Sequence, residues 1–222
     1  NNRYTLQRTP ITLFKDNVAH SNGVVSLRIR DYFPTDGEQV IQGFKSYRNA
    51  YGVWMYYSAN IALEGLYAGD NYEKNVDINR ADNIRVQDAT IVGYSDFYRK
   101  QVASQDLWHH CHDRDGALVG IEVNYFQESF AQFTPGTWIE NVRFSGFADT
   151  GCSKSAAMAV DEREKRGIGN TWNKFTQLKS ITVEDNSPLF DGQSALTALV
   201  NDVVMNDLDG SLDPAPVNAS SF

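Results

Sequence analysis

The sequence predicts an all-β fold in which short parallel strands stack into a coil, a solenoid, and three observations lead there. Five stretches, 14–21, 44–54, 61–71, 84–93 and 139–147, look like degraded copies of one unit: apolar and polar residues alternate, then the chain turns through Asn, Asp or Gly. Their spacing is unequal but falls mostly in the range of about 20 to 50 residues where a recurring unit marks a solenoid. The strand-like stretches carry no long apolar stripe at helical spacing, so helix content should be low. The turns repeatedly hold asparagine, at Asn17, Asn49, Asn60, Asn71, Asn83, Asn141 and Asn186. Asparagine tolerates the left-handed backbone of a sharp corner, and stacked amides can bond from one layer to the next. A sandwich or jelly roll would show more two-residue hairpin turns, and Asn22-Gly23 is the one Asn-Gly pair.

In chain order, 12–29 reads as strand, Asn-containing turn, strand, with Val24, Val25, Leu27 and Ile29 as apolar positions. Pro34 and Gly37 interrupt regular structure, so 31–37 reads as an excursion. Strand character returns at Ile41 and is densest up to Ser95, through 52–57, 61–66, 74–78 and 84–92. The polar segment 96–116 reads as a long loop across one side of the coil, the kind of segment that carries function on a rigid scaffold. Strands resume at 118–123 and 138–147, and 179–186 and 195–205 close the regular part. One domain over 1–212 is expected, with 213–222 as tail or linker.

With 222 residues, 41% hydrophobic and 22% charged, the chain can bury a sizeable core. A net charge of -8 disfavours nucleic acid, which is attracted by clustered Lys and Arg. The mixed-sign run 161–166 reads as a solvated loop or short helix. No apolar run reaches the length of a membrane span. The start, Asn1-Asn2-Arg3-Tyr4, has neither an initiating Met nor a leader pattern and reads as a processed or excised piece. Cys111 and Cys152 permit one disulfide or two thiols. The sequon at Asn218 is an accessible glycosylation site if the chain is secreted.

Residues 14–22 with Leu27-Arg28-Ile29, then 44–54, 69–71, 91–95, 140–147 and 207–212, together resemble the β-helix region shared by fibrocystin-like proteins, the cell migration-inducing hyaluronan-binding protein and its transmembrane relative. The resemblance covers most of the chain and rests on the order and number of the motifs. It implies a right-handed parallel β-helix in a large extracellular or cell-surface protein, with Cys111 and Cys152 bridged. Some members of that family depolymerise hyaluronan, whereas the fibrocystin-like ones look like coat or adhesion proteins. No family residue linked to cleavage is carried over.

Several constellations offer chemistry. The segment 108–113 holds three of the four histidines, Cys111 and Asp113; in extended conformation His110 and His112 share a face suited to a transition metal. Asp207 and Asp209 precede Gly210 as calcium-loop carboxylates do, although Met205 and Pro216 fall where a helix-loop-helix site needs ligands. Calcium is therefore the one cofactor considered. His20 beside Ser21 is a candidate acid or base, or else bonds backbone at a corner. Carboxylates for glycan cleavage would come from neighbouring strands about 4.8 Å apart, with Asp70, Asp77, Asp82, Glu64, Asp88 and Glu122 as candidates. Trp54, Tyr56, Tyr57 and Tyr67 are candidates for a sugar-stacking platform or for ladder packing. The expected function is a non-catalytic structural or adhesive module of a larger extracellular protein, whose partners are flanking domains, neighbouring copies or glycans. The alternatives are a polysaccharide-acting enzyme or a non-catalytic glycan binder.

Overall fold

The computed structural model describes residues 6–104, 117–124, 136–148, 150–152, 154–160, 175–189 and 204–211. They are mostly strand, and every printed strand pairing is parallel. A short 3-10 turn, Leu6–Arg8, precedes β1 (Val18–His20), β2 (Val25–Arg30) and β3 (Gln39–Gln42). There follow β4 (Lys45–Tyr47), β5 (Tyr51–Tyr56), β6 (Ala59–Glu64), β7 (Tyr67–Gly69), β8 (Lys74–Asn79) and β9 (Asp82–Val92). After helix α1 (Asp96–Ser104) come β10 (Ala117–Asn124), β11 (Thr137–Ser145), β12 (Lys154–Val160), β13 (Phe175–Val183) and β14 (Val204–Asp207).

The strands form two sheets, an arrangement compatible with a parallel β-helix. Sheet B has the order β12-β10-β8-β5-β2, and sheet A holds the remaining strands. The chain passes from one sheet to the other and returns beside the strand it left. Lys45, Tyr67 and Thr90 share one register position as a result, and so do Leu27, Val53, Val76, Ile121 and Met158. Inward residues therefore stack like on like. Ile41, Leu63, Val86, Ile139 and Leu178 form one such column, each 2% exposed or less. At about 1.5–3 kcal/mol for each aliphatic side chain removed from water, these columns are the main cohesion between the sheets.

Sheet A bends where the chain adopts a left-handed backbone. Asp16, Gly43, Gly65, Asp88, Asn141 and Ser180 occupy one register position on successive strands, all with φ between 52° and 65°. Gly43 is required twice over, because a Cβ there would also meet Asp16 Oδ1 at 2.3 Å. A second column, Asp31, Tyr57 and Arg80, turns the chain out of sheet B with φ of 54°, 48° and 54°. Asn60, Asn83 and Gly136 turn it into sheet A. Asn60, Asn83, Asn141 and Asn186 are thus the corner residues that the asparagine pattern predicts.

Asn49 and Asn71 instead form a buried amide ladder. Asn22 N–H donates to Asn49 Oδ1 (2.9 Å), Asn49 N–H to Asn71 Oδ1 (3.0 Å), and Asn71 Nδ2 to Asn75 Oδ1 (2.8 Å). Gly52 packs against this ladder, and its Cβ position lies 2.3 Å from the Asn75 carbonyl oxygen. Gly52→Ala must push β5 from β8, and we expect a loss at the upper end of the roughly 1–3 kcal/mol of core overpacking. Urea midpoints of the two proteins measure it; equal midpoints would mean that the strands part freely here.

Two expectations are corrected. The segment from Asp96 is not loop throughout, since Asp96–Ser104 is a helix. Ser95 caps it, its Oγ accepting from Tyr98 N–H at 3.2 Å, and Tyr98 packs on Tyr94 in the core. Residues 105–116 lie outside the described part, as do 212–222. Strand β12 was not expected, because Ala156, Ala157 and Ala159 carry little strand signal; pairing with β10 overrides it.

Candidate functional site

Sheet B carries the most distinctive side-chain arrangement, and a break in strand alternation creates it. In β8, Asn75 bonds inward to Asn71 and Val76 packs in the core, so two consecutive residues point in and Lys74 and Asp77 share the outer face. The partners of Asn75 across the sheet, Gly52 and Gly120, are small, and a Cβ on Gly120 would lie 2.3 Å from the Ala157 carbonyl oxygen. The break is therefore built across neighbouring strands.

Register then assembles the outer face in rows. Arg28, Trp54, Asp77 and Glu122 lie side by side on β2, β5, β8 and β10. Tyr51 and Lys74 form the row on one side, Arg30, Tyr56 and Asn79 the row on the other. Exposure falls along the central row, from exposed Arg28 through half-buried Trp54 to Asp77 and Glu122 at 3% and 6%. Lys74 is 2% exposed; its Nζ stands 2.5 Å from Glu122 Oε1 and 3.7 Å from Asp77 Oδ2. One ammonium thus joins two carboxylates that come from neighbouring strands.

The aromatic part is equally ordered. The Trp54 ring stacks on Tyr51 at 5.6 Å and lies under the Arg28 guanidinium at 4.4 Å. Tyr56 meets Trp54 edge-on at 6.1 Å and Tyr57 at 4.5 Å. Arg80 Nη1 donates to both tyrosine hydroxyls, at 2.9 and 2.7 Å. Within this patch Trp54 Nε1 and Asn79 Oδ1 are buried atoms without a hydrogen-bond partner. Such atoms are uncommon in native interiors, and each points to water, an ion or a ligand.

Of the six candidate carboxylates, only Asp77 and Glu122 meet on this face. Asp70 accepts from Ser95 N–H and Oγ at 2.7 and 2.9 Å and so anchors the start of α1. Asp82 accepts from Asn83 N–H at 3.0 Å, Glu64 pairs with Arg85 at 2.9 Å, and Asp88 accepts from the corner amide of Asn141 at 2.5 Å. Trp54, Tyr56 and Tyr57 gather as a platform, whereas Tyr67 lies on sheet A, its hydroxyl pKa raised by burial and by Asp70. His20 stacks on Tyr47 at 4.6 Å and meets Ser21 Oγ at 3.2 Å.

Asp209 occupies a corner of sheet A. Its Oδ2 accepts from Ser180 N–H and Oγ at 2.8 and 3.0 Å, and its Oδ1 from Ser211 N–H at 3.1 Å. Desolvation alone would raise its pKa, but the hydrogen bonds from Ser211 and Ser180 outweigh that and hold it at about 2, below the ordinary 3.8. A depressed folded-state value stabilises the protein above pH 3.8, and the contribution is lost as pH falls through about 2. Stability curves of wild type and Asp209→Asn should accordingly be separated at pH 5 and converge near pH 2; parallel curves would refute the assignment. Asp207 lies in β14, and no group of three or more His, Cys, Asp or Glu side chains suited to a metal occurs among the described residues. His110, His112, Cys111 and Asn218 lie outside the described residues. Cys152 is disulfide-bonded, with its sulfur 3.9 Å from the Tyr94 hydroxyl. No helix among the described residues is long and apolar enough to cross a membrane.

Lys74 is the functional candidate that sequence reasoning missed. Simple alternation places it inward with Val76 and Ile78, and the small residues Gly52 and Gly120 were the available sign that alternation fails there. Comparison of the chain with protein-family models, with curated proteins and with solved structures finds no match in any of the three.

Proposed function

We propose that this chain is an extracellular, right-handed parallel β-helix module that binds a polysaccharide along the outer face of sheet B. The winding is supported by parallel in-register pairing and by the columns of left-handed corners; handedness and location rest on the resemblance to the fibrocystin-like and hyaluronan-binding proteins. One observation carries the binding reading. A buried indole N–H and a buried amide oxygen, both without partners, sit beside Tyr51, Tyr56 and Tyr57. A sugar supplies a hydroxyl that accepts from one and donates to the other, while its C–H face packs on aromatic rings. Each satisfied group removes a penalty of about 1–3 kcal/mol.

Retention of the purified protein on an array of extracellular polysaccharides tests this. We expect Trp54→Ala to weaken binding at least about tenfold, and Trp54→Phe to lose part of it by removing only the donor. Wild-type protein retained by no polysaccharide would sink the reading.

The open end of the strand ladder favours a second reading, that of a structural or adhesive module joined to flanking domains or neighbouring copies. Among the described strands β1 pairs only with β4 and β2 only with β5, while Leu13, Val18 and Val24 are 78%, 54% and 61% exposed. An apolar ladder end of this kind calls for cover. Sedimentation at increasing concentration would show association if copies provide it.

A further inference from the structure

We infer that Asp77, Glu122 and Lys74 form a cleavage site on the same face, hydrolysing the glycosidic bonds of a polysaccharide that is uncharged where it is cut. The inference rests on the binding reading above and deepens it. The geometry carries it. The two carboxylates project from register partners on adjacent strands, and each lies within 4.0 Å of the same ammonium. Their oxygens are therefore at most about 6 Å apart, in the range of the paired carboxylates that split glycosidic bonds, where about 5–5.5 Å goes with retention of configuration. Both are nearly closed off from water, at the buried end of a row that opens toward Trp54 and Arg28.

The contacts assign the roles. Glu122, held at 2.5 Å by Lys74, is the carboxylate kept ionised and aimed, and serves as nucleophile. Asp77, at 3.7 Å, is less tightly held and carries the proton. Asp77 protonates the glycosidic oxygen as the carbon–oxygen bond breaks, and the alcohol departs; Glu122 attacks the anomeric carbon and forms a glycosyl ester. Water then attacks that carbon, giving its proton to Asp77, and the Glu122 carboxylate leaves. One water is consumed, both carboxyl groups return to their starting forms, and no electrons change hands. Two carboxylates around one ammonium retain a negative charge, which repels a uronate in the cleaved position. That is the basis for an uncharged sugar there.

The test incubates the full chain with a β-glucan, a galactan and chitin oligosaccharides, and with polygalacturonate and chondroitin as uronate polymers. New reducing ends are counted and unsaturated uronates sought. We expect reducing ends from an uncharged polymer, and losses of at least about 100-fold in kcat for Asp77→Asn and Glu122→Gln. Because those variants sit in a buried cluster, a second measurement uses the wild type: a 2-fluoroglycoside matched to the cleaved sugar should label Glu122, as located by peptide mass. Label on another residue, unsaturated products, or a polysaccharide bound but left uncut would each overturn the inference, and the last would leave the binding reading standing. Cleavage with retention unchanged in Trp54→Ala would instead remove the binding track and leave the cleavage site.

Discussion

Lys74→Met should destabilise the protein by about 3–5 kcal/mol, the cost of stripping a buried ion cluster of one partner. Asp77 and Glu122, 3% and 6% exposed and on adjacent strands, are then left facing each other without the ammonium between them. The loss is one of context rather than of an isolated bond, since replacing the whole cluster removes the uncompensated charge. A Lys74→Met, Asp77→Asn, Glu122→Gln triple variant should therefore recover much of the stability that the single change loses. Denaturant unfolding of the wild type, the single and the triple variants settles the order. A single variant within about 1 kcal/mol of wild type would show that the cluster is solvated in solution, and the chemistry assigned to it would fall as well.

Asn71→Ala is the second large effect, at about 2–4 kcal/mol. Asn71 is fully buried, and its Oδ1 accepts from Asn49 N–H and Asn49 Nδ2 at 3.0 and 3.1 Å, while its own amide nitrogen donates to Asn75. Truncation leaves a buried backbone donor and a buried side-chain donor unsatisfied at once. No neighbouring side chain replaces them easily, because Gly52 fills the adjacent space with backbone alone. The variant should also lose hydrogen-exchange protection at the Asn49 amide, and retained protection there would show that water or a shifted Ser46 fills the gap. Asn71→Asp should fare worse still by adding a buried charge.

The fold was more legible than the site, and for a physical reason. Strand periodicity is local, so β5, β6, β8, β9, β10 and β11 follow from alternating residues alone, and the corner asparagines follow from what Asn tolerates in left-handed backbone. Register is not local. Asp77 and Glu122 can each be picked out as carboxylates on strands, yet nothing in the sequence says that residues 77 and 122 are neighbours, because the intervening chain includes α1 and residues outside the described part. Lys74 was hidden by the break in alternation at Asn75, and α1 by its short length and polar surface, with Ser95 and Asp96 as its only clear start signal. Trp54 was visible as an aromatic, but its unpartnered indole nitrogen is a property of three-dimensional surroundings.

The corner column at Asp16, Gly43, Gly65, Asp88, Asn141 and Ser180 has an evolutionary meaning. Four residue types fill six equivalent positions, so what is inherited there is a backbone shape, and no single letter marks it. Segments of very different length separate Asp88, Asn141 and Ser180, yet each returns to the same point in the ladder. Insertions between layers can therefore accumulate without disturbing the column, while a β-branched residue within it cannot. A distant relative that has lost every identical residue should still be recognisable by small, polar or glycine residues at these places, followed one residue later by the inward apolar position that Phe44, Leu66, Ala89, Val142 and Ile181 occupy here.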